Sequence, residues 1–356
     1  MNIRSFSAYQ FRNFARIEPI AFPTAPLLVI LAPNASGKTN FLEAIVVMLR
    51  GKSFRAQAAE MVMWGRDNFV VRGEVSHGDE NSLLAIEYRA GVKNIRIEEN
   101  NVPVSPVTFF GHFPFVLFLP EDTFLCNRGP GGRRNFINTS LSCSREYLAS
   151  IVQYHRVLRQ RNAALKNART VEDIAVWTQL LVVHAMDVWA HRELFIAYLA
   201  SHVPEIYKDL FSEKLDIVIS FVPGASDIAS FQELLFDAWQ YERRYRYTMY
   251  GPHRDDIIVR VNGKLVQDVM SRGQLRGLVI AMKVAAYGYM KSLVGHDPLL
   301  LFDEVLSELD ATRQKNLLAH LPATQTILTC TSIPEEVQKR SDVFVLDVRP
   351  LASREE

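Results

Sequence analysis

Cysteine is scarce in this chain: three among 356 residues, Cys126, Cys143 and Cys330. An odd number without metal-ligand spacing argues against a disulfide framework. Long apolar runs are missing too. None reaches the roughly 18 residues that cross a bilayer, and Met1-Asn2-Ile3-Arg4-Ser5 does not open into an apolar signal core. Nor is there an excess of one charge, with 40 Lys+Arg against 39 Asp+Glu and a net charge of +1. A nucleic-acid contact would therefore need a local patch, since the overall field provides none. Internal repeats and low-complexity segments are lacking as well. These absences predict a soluble, reduced, cytoplasmic protein with no membrane partner.

What is present is a core. Hydrophobic residues make up 48% of the chain and charged residues 22%, and the length suggests about two domains. Residues 2 to 32 read as strands, ending in the apolar run Pro26-Leu27-Leu28-Val29-Ile30-Leu31. Thr39 to Arg50 has helical spacing, with Gly51 as a stop. Strand-like alternation fills 69 to 119, with a hairpin turn at Asn100-Asn101. After Pro130 the character changes. Helices of about 25 to 35 residues, spanning roughly 40 to 50 Å at 1.5 Å per residue, predict a compact lobe. One runs from about Ser144 to Lys166, and another starts at a capping box, Thr170-Val171-Glu172-Asp173. Asn262-Gly263 is the strongest hairpin signal. The predicted division is 1–130, 131–207 for the lobe, and 208–356 for the lobe's return and the C-terminal part of the chain.

The chemistry lies at both ends. Ala32-Pro33-Asn34-Ala35-Ser36-Gly37-Lys38-Thr39, between a buried strand and a helix, reads as a phosphate-binding loop. In such loops backbone N–H groups curl around phosphates, the lysine neutralises the β and γ charges, and the hydroxyl binds Mg²⁺. Asn40 joins this nucleotide-binding set. Two positions where glycine is usual are Ala32 and Ala35, and a left-handed alanine costs roughly 1 to 2 kcal/mol. Asp303 and Glu304 end the apolar strand Leu299 to Phe302. Asp303 suits Mg²⁺, and Glu304 suits orientation or deprotonation of an attacking water; a plain acidic helix cap is the blander reading. Ser271-Arg272-Gly273-Gln274 at a helix start is an anion site of hydroxyl, N–H groups and helix dipole, or simply a cap. Asp310 follows in Ser307-Glu308-Leu309-Asp310. The switch position after the last core strand is Thr329 or Thr331.

This order is that of an ABC-type ATPase head, an α/β fold with a mixed sheet, an antiparallel β subdomain and an inserted α-helical lobe. In such heads two copies sandwich ATP, and a nucleotide-dependent homodimer is expected. With Tyr250-Gly251-Pro252-His253-Arg254-Asp255-Asp256, SRGQ at 271–274, Phe11-Arg12-Asn13-Phe14, Pro120-Glu121-Asp122, Arg133-Arg134 and the run from Tyr154 to Asn162, the chain resembles the RecF family of bacterial recombination mediators. The landmarks cover residue 9 to about 331. The resemblance implies ATP and Mg²⁺ as cofactors, ATP-driven dimerisation, binding to double-stranded DNA or single-strand–double-strand junctions, and slow hydrolysis. It further implies cooperation with RecR in loading RecA at gaps during DNA repair. Two other readings stand beside it: the ATPase subunit of a membrane transporter, and a degenerate module that binds ATP without turnover.

Four weaker signals remain. Arg243-Arg244-Tyr245-Arg246-Tyr247 reads as a solvated helix end with rings packed inward, a DNA contact being the alternative. Arg156, Arg159, Arg161 and Lys166 read as a solvated basic face. Lys52 and Arg55, just beyond the first helix, are DNA-facing candidates by position only. His253 is either structural or a contact residue.

Overall fold

Alternating apolar and polar residues in the first hundred positions build an antiparallel sheet. Its strands are β1 (Asn2–Phe11), β2 (Phe14–Ala21), β4 (Asn68–His77), β5 (Glu80–Arg89), β6 (Val92–Glu99) and β7 (Val102–Val104), in the order β2-β1-β4-β5-β6-β7. Short continuous apolar runs build a second, parallel sheet. It orders β14-β3-β13-β12-β8 from β3 (Leu27–Leu31), β8 (Phe115–Phe118), β12 (Leu299–Asp303), β13 (Thr326–Cys330) and β14 (Val343–Asp347). Helix α1 (Lys38–Arg50) is buried all round from Phe41 to Leu49. Apart from Glu43 that stretch is apolar on every face and must be enclosed, and α1 packs against strands of both sheets in one core. The computed structural model describes residues 1–77, 80–100, 102–104, 109, 111–127, 129–225, 229–321 and 324–349.

The chain divides into two units: Met1–Glu121 with Val294–Glu356, and Asp122–Leu293. The second holds α2 (Pro130–Leu141), α3 (Arg145–Leu165), α4 (Glu172–Phe211), α5 (Phe231–Tyr245), α6 (Arg272–Val294) and a three-stranded antiparallel sheet, β11-β10-β9. Those strands are β9 (Ile217–Val222), β10 (Asp256–Val261) and β11 (Lys264–Leu265).

This division departs from the expected return at 208. Ile217, Ile219, Ile257 and Val259 share one core with α3, α4 and α6, so 208–293 stays with the helices. The expected helix length is also corrected. Helix α4 has 40 residues, about 60 Å, and continues through Pro204. Its capping box is half made: Asp173 accepts from the Thr170 N–H at 3.1 Å, while Val171 stands at the cap. Helix α6 is long and apolar enough to cross a membrane, yet Leu278, Ala281, Met282 and Ala285 lie in the second unit's core. The Asn262-Gly263 hairpin is present, both residues having positive φ. At the β6–β7 turn Glu99 faces Val102, and Asn101 lies outside the described residues.

A buried ion cluster fastens the start of α1 to its surroundings. Glu43, fully buried, accepts from Arg12 Nε and Nη2 at 2.9 Å each, from Arg55 Nη2 at 2.8 Å and from Ser53 Oγ at 2.6 Å. Asn13 donates to the Ser36 carbonyl and accepts from Asn40, which in turn accepts from Arg55. The β1–β2 turn, α1 and the segment after it thus form one polar unit. Arg55, read by position as a DNA contact, is committed here. Burial alone would raise the Glu43 carboxyl, but hydrogen bonds from Arg12, Arg55 and Ser53 outweigh it and hold it below the ordinary carboxylate range. A lowered folded value stabilises in full above the unfolded pKa of about 4.3, and that stabilisation is lost as pH falls through the folded value. Glu43→Gln should therefore cost about 3 to 5 kcal/mol at neutral pH, the range for removing one partner of a buried pair. Urea midpoints should show the gap narrowing at acid pH; equal stabilities at pH 7 would contradict the account.

Candidate nucleotide site

Parallel strands deliver their C-terminal ends to one edge of the sheet, where ligands of open α/β sheets bind. Here β3 ends at Leu31, β12 at Asp303 and β13 at Cys330, with Asp303 opposite Thr329 and Thr329 opposite Ile30. The register alone brings Asp303 and Thr329 together. The loop after β3 then turns back into α1 and adds Lys38 and Thr39.

Ala32 is buried, whereas Pro33, Asn34 and Ala35 are exposed. Of the two alanines only Ala35 takes positive φ, 62°, so the left-handed cost falls on one residue. Gly37 has φ 102° and caps α1, and a Cβ there would meet the Asn13 side chain at 2.5 Å. The conformation thus favours glycine at 37, and a Cβ would displace the Asn13 amide. No side chain caps α1 and no acid lies in its first turn. Its first N–H groups remain available for an anion. Ser36 Oγ donates to the Pro33 carbonyl at 2.7 Å and tightens the loop.

Lys38 is 4% exposed. Its ammonium donates to the Ala32 and Pro33 carbonyls at 2.8 Å each and pairs with Glu304 Oε1 at 2.8 Å. Asp303 is 3% exposed. It accepts from Thr39 Oγ1 and from Thr329 Oγ1, both at 2.7 Å. Thr329 Oγ1 in turn accepts the Glu304 N–H at 3.0 Å. Glu304 itself has φ 53°, a strained position for a non-glycine residue. Burial raises the Asp303 carboxyl; the two threonine hydroxyls oppose this, and Glu304 and Glu121 push it further up. A cation would relieve that excess of negative charge. The oxygen donors of Thr39 and Asp303 suit a hard divalent ion such as Mg²⁺.

The structure therefore gathers Lys38, Thr39, Asp303 and Glu304, as the motifs anticipate. It also distinguishes the two threonines left open: Thr329 touches the Asp303 carboxylate and the Glu304 N–H, while Thr331 is exposed. Asn40 faces Asn13 and Arg55. Asp310 caps α7 (Ala311–His320) by accepting the Arg313 N–H at 2.9 Å. Ser271, Arg272, Gly273 and Gln274 belong to the second unit and open α6 there, the first three exposed. Ser271 and Gln274 form a capping box: Ser271 Oγ accepts the Gln274 N–H at 3.2 Å, and Gln274 Oε1 accepts the Ser271 N–H at 3.0 Å. Sequence reasoning missed Glu43 and Ser53, isolated polar residues whose partners lie elsewhere in the chain.

In the second unit the GPHRDD string is spent mostly inward. Asp255, fully buried, accepts from Arg192 Nη1, Trp189 Nε1 and the Gly224 N–H at 2.5, 2.9 and 2.6 Å. Asp256 takes a bidentate contact from Arg133 at 2.6 and 2.8 Å. His253 Nε2 faces the Thr248 carbonyl at 3.0 Å, which can only accept. Nε2 therefore carries the proton, and Nδ1 accepts from the Tyr154 hydroxyl at 2.6 Å. Burial pushes His253 down to about 4, so the ring is neutral and its role is structural. Arg161 is fully buried against Glu242 and donates to Thr178 and Thr248. It therefore leaves the basic face read from the sequence, while Arg156, Arg159 and Lys166 stay exposed.

The model of the RecF/RecN/SMC N-terminal domain matches residues 2–348. Curated proteins called DNA replication and repair protein RecF are similar along the whole chain. That of Agathobacter rectalis is 32% identical over 96% of both chains, and that of Moorella thermoacetica 32% identical over 96% of this chain and 95% of its own. A solved structure of the recombination mediator protein RecF with ATP, of the RecFOR pathway, superposes with TM-score 0.83 at 26% identity, covering 94% of this chain and 92% of its own. A Smc head domain shares the fold at TM-score 0.54 and 12% identity. The chain belongs to the RecF family of DNA replication and repair proteins, ATPase heads of the RecF/RecN/SMC type.

Proposed function

We propose that this protein is an ATP-dependent DNA clamp of recombinational repair, closed when two protomers sandwich ATP and opened by slow, DNA-stimulated hydrolysis. The observation that carries the proposal is the convergence of Lys38, Thr39, Asp303 and Glu304 beside the uncapped start of α1. In this reading residues 32–40 hold the triphosphate. Lys38 exchanges its carbonyl partners for phosphate oxygens, which bear full negative charge. Mg²⁺, when bound, neutralises phosphate charge; Thr39 and Asp303 would hold it. Glu304 orients and deprotonates the attacking water, and the Thr329 hydroxyl fixes the Glu304 backbone.

Ser271, Arg272, Gly273 and Gln274 serve the partner protomer's γ-phosphate, and Asp310 lies at the same junction. The exposure of Ser271, Arg272, Gly273 and Asp310 supports a role between copies. The RecF name of the relatives supports DNA as the partner, with RecR and the RecA-loading machinery beyond it, and a cytoplasmic location. Family membership removes the ground for the transporter alternative. The non-hydrolysing alternative rests on Ala35, whose strain of about 1 to 2 kcal/mol a folded loop can absorb.

Lys38→Ala should weaken ATP–Mg²⁺ binding roughly tenfold to a hundredfold, as expected on losing a charged hydrogen bond, and abolish ATP-driven dimers. Titration of a fluorescent ATP analogue and light scattering would show it; unchanged dimers would contradict the shared site. Ser271→Ala should keep monomer ATP affinity and lose dimers, with only the modest cost of a lost helix cap. Glu304→Gln should keep ATP affinity while turnover falls by about a hundredfold or more. A wild-type protein without turnover would make this the degenerate module.

A further inference from the structure

The end of α5 does not pack as its sequence suggests. The expected reading placed the rings of Arg243-Arg244-Tyr245-Arg246-Tyr247 inward, yet Tyr241, Tyr245 and Tyr247 are 66%, 54% and 39% exposed. Arg246 closes the helix in the left-handed region at φ 63°. This turn lets the two flanking rings, 6.2 Å apart, both reach solvent. Arg243, Arg244 and Arg246 are exposed around them. Among the described residues none of Arg244, Arg246 and Arg254 is paired with a carboxylate.

Arg254 joins the same patch from the GPHRDD loop. Its neighbours are all anchored: His253 by Tyr154 and Thr248, Asp255 by Arg192, Trp189 and Gly224, Asp256 by Arg133. Arg254 alone of these turns outward, its guanidinium 5.4 Å from the centre of the Tyr247 ring. The buried loop thus holds one cation in a fixed place over one aromatic face. Beside it opens a cleft of about 660 Å³, lined by Pro223, Ala225, Tyr247, Met249, Tyr250 and Arg254 among others. Gly224, also in its lining, packs so closely that a Cβ there would meet the Gly251 carbonyl at 2.2 Å.

We infer that this patch binds single-stranded polynucleotide, with Tyr245 and Tyr247 stacking on unpaired bases and Arg246 and Arg254 neutralising the adjoining phosphates. Unpaired guanidinium groups beside exposed rings match a chain that alternates phosphate and aromatic base. Duplex DNA hides its base faces in its own stack, so the rings select the unpaired strand. The inference deepens the clamp proposed above, on which it rests for the presence of DNA. It assigns the single-stranded arm of a junction to the second unit.

The test is fluorescence anisotropy of the full chain with ATP–Mg²⁺ on a blunt duplex, on the same duplex with a single-stranded tail, and on one with an abasic tail. The wild type should bind the tailed duplex more tightly than the blunt one. The double variant Tyr245→Ala/Tyr247→Ala should lose about tenfold or more on the tailed duplex and nothing on the blunt one. The double phenylalanine variant should keep the tail affinity, and the abasic tail should erase the difference between wild type and alanine variant. Arg254→Ala should lower the salt slope for a single-stranded oligonucleotide by about 0.7. The inference is overturned if the alanine variant binds the tailed duplex as the wild type does, the outcome for a surface that serves a protein partner, or if the tail adds nothing. Failure of the wild type to bind the blunt duplex with ATP would instead overturn the clamp, and the tail comparison would still decide the patch.

Discussion

A charge buried in a protein must be answered by a partner or given up, and this constraint shapes the end of the parallel sheet. Asp303 and Lys38 are both nearly inaccessible, yet they do not pair with each other. Lys38 is answered by two loop carbonyls and Glu304, Asp303 by two threonine hydroxyls. Lys38 therefore has its donors filled, while Asp303, crowded by Glu304 and Glu121, remains short of positive charge. In the proposed reading such a site would accept a magnesium nucleotide by exchange: phosphate for carbonyl at the lysine, metal for excess charge at the aspartate.

Three of the non-glycine residues with positive φ lie at the proposed sites. Ala35 in the loop, Glu304 at the end of β12 and Arg246 at the end of α5 all take positive φ without being glycine. Each costs of order 1 to 3 kcal/mol unless the surroundings hold it. At Glu304 the Thr329 hydroxyl does the holding. Behind the loop the Asn13 amide holds Ser36 and fills the space beside Gly37, and Glu43 fixes Arg12 beside that amide. At Arg246 the return of the chain into the Thr248–His253 segment fixes the turn, because Asn162 and Arg161 bind Thr248.

In the second unit a run of α3 and the GPHRDD loop, far apart in sequence, are two sides of one polar core. Tyr154 reaches His253, while Arg161 and Asn162, both about two turns further on, reach Thr248. Both strings looked chemical in the sequence because they are rich in His, Arg and Asp. Most of that chemistry is consumed in satisfying buried groups, which is why a neutral His253 and a buried Arg161 make no basic face. What the core leaves over is the outward Arg254 beside exposed tyrosines.

The sequence by itself determined the two strand patterns, the strand–loop–helix at 27–50, the strand-end carboxylates and the family, because these depend on local periodicity and on motifs with fixed spacing. It also indicated the hairpin at Asn262-Gly263, where the turn dictates the residues. Tertiary structure alone decided three things. Parallel register chose Thr329 over Thr331 by setting it opposite Asp303. A shared apolar core assigned 208–293 to the helical unit, since burial of Ile217 and Ile257 is a non-local event. The direction of Tyr245, Tyr247 and Arg161 followed from what packs against each helix. A residue's type says what it can do, but only its neighbours in space say whether that capacity is already used.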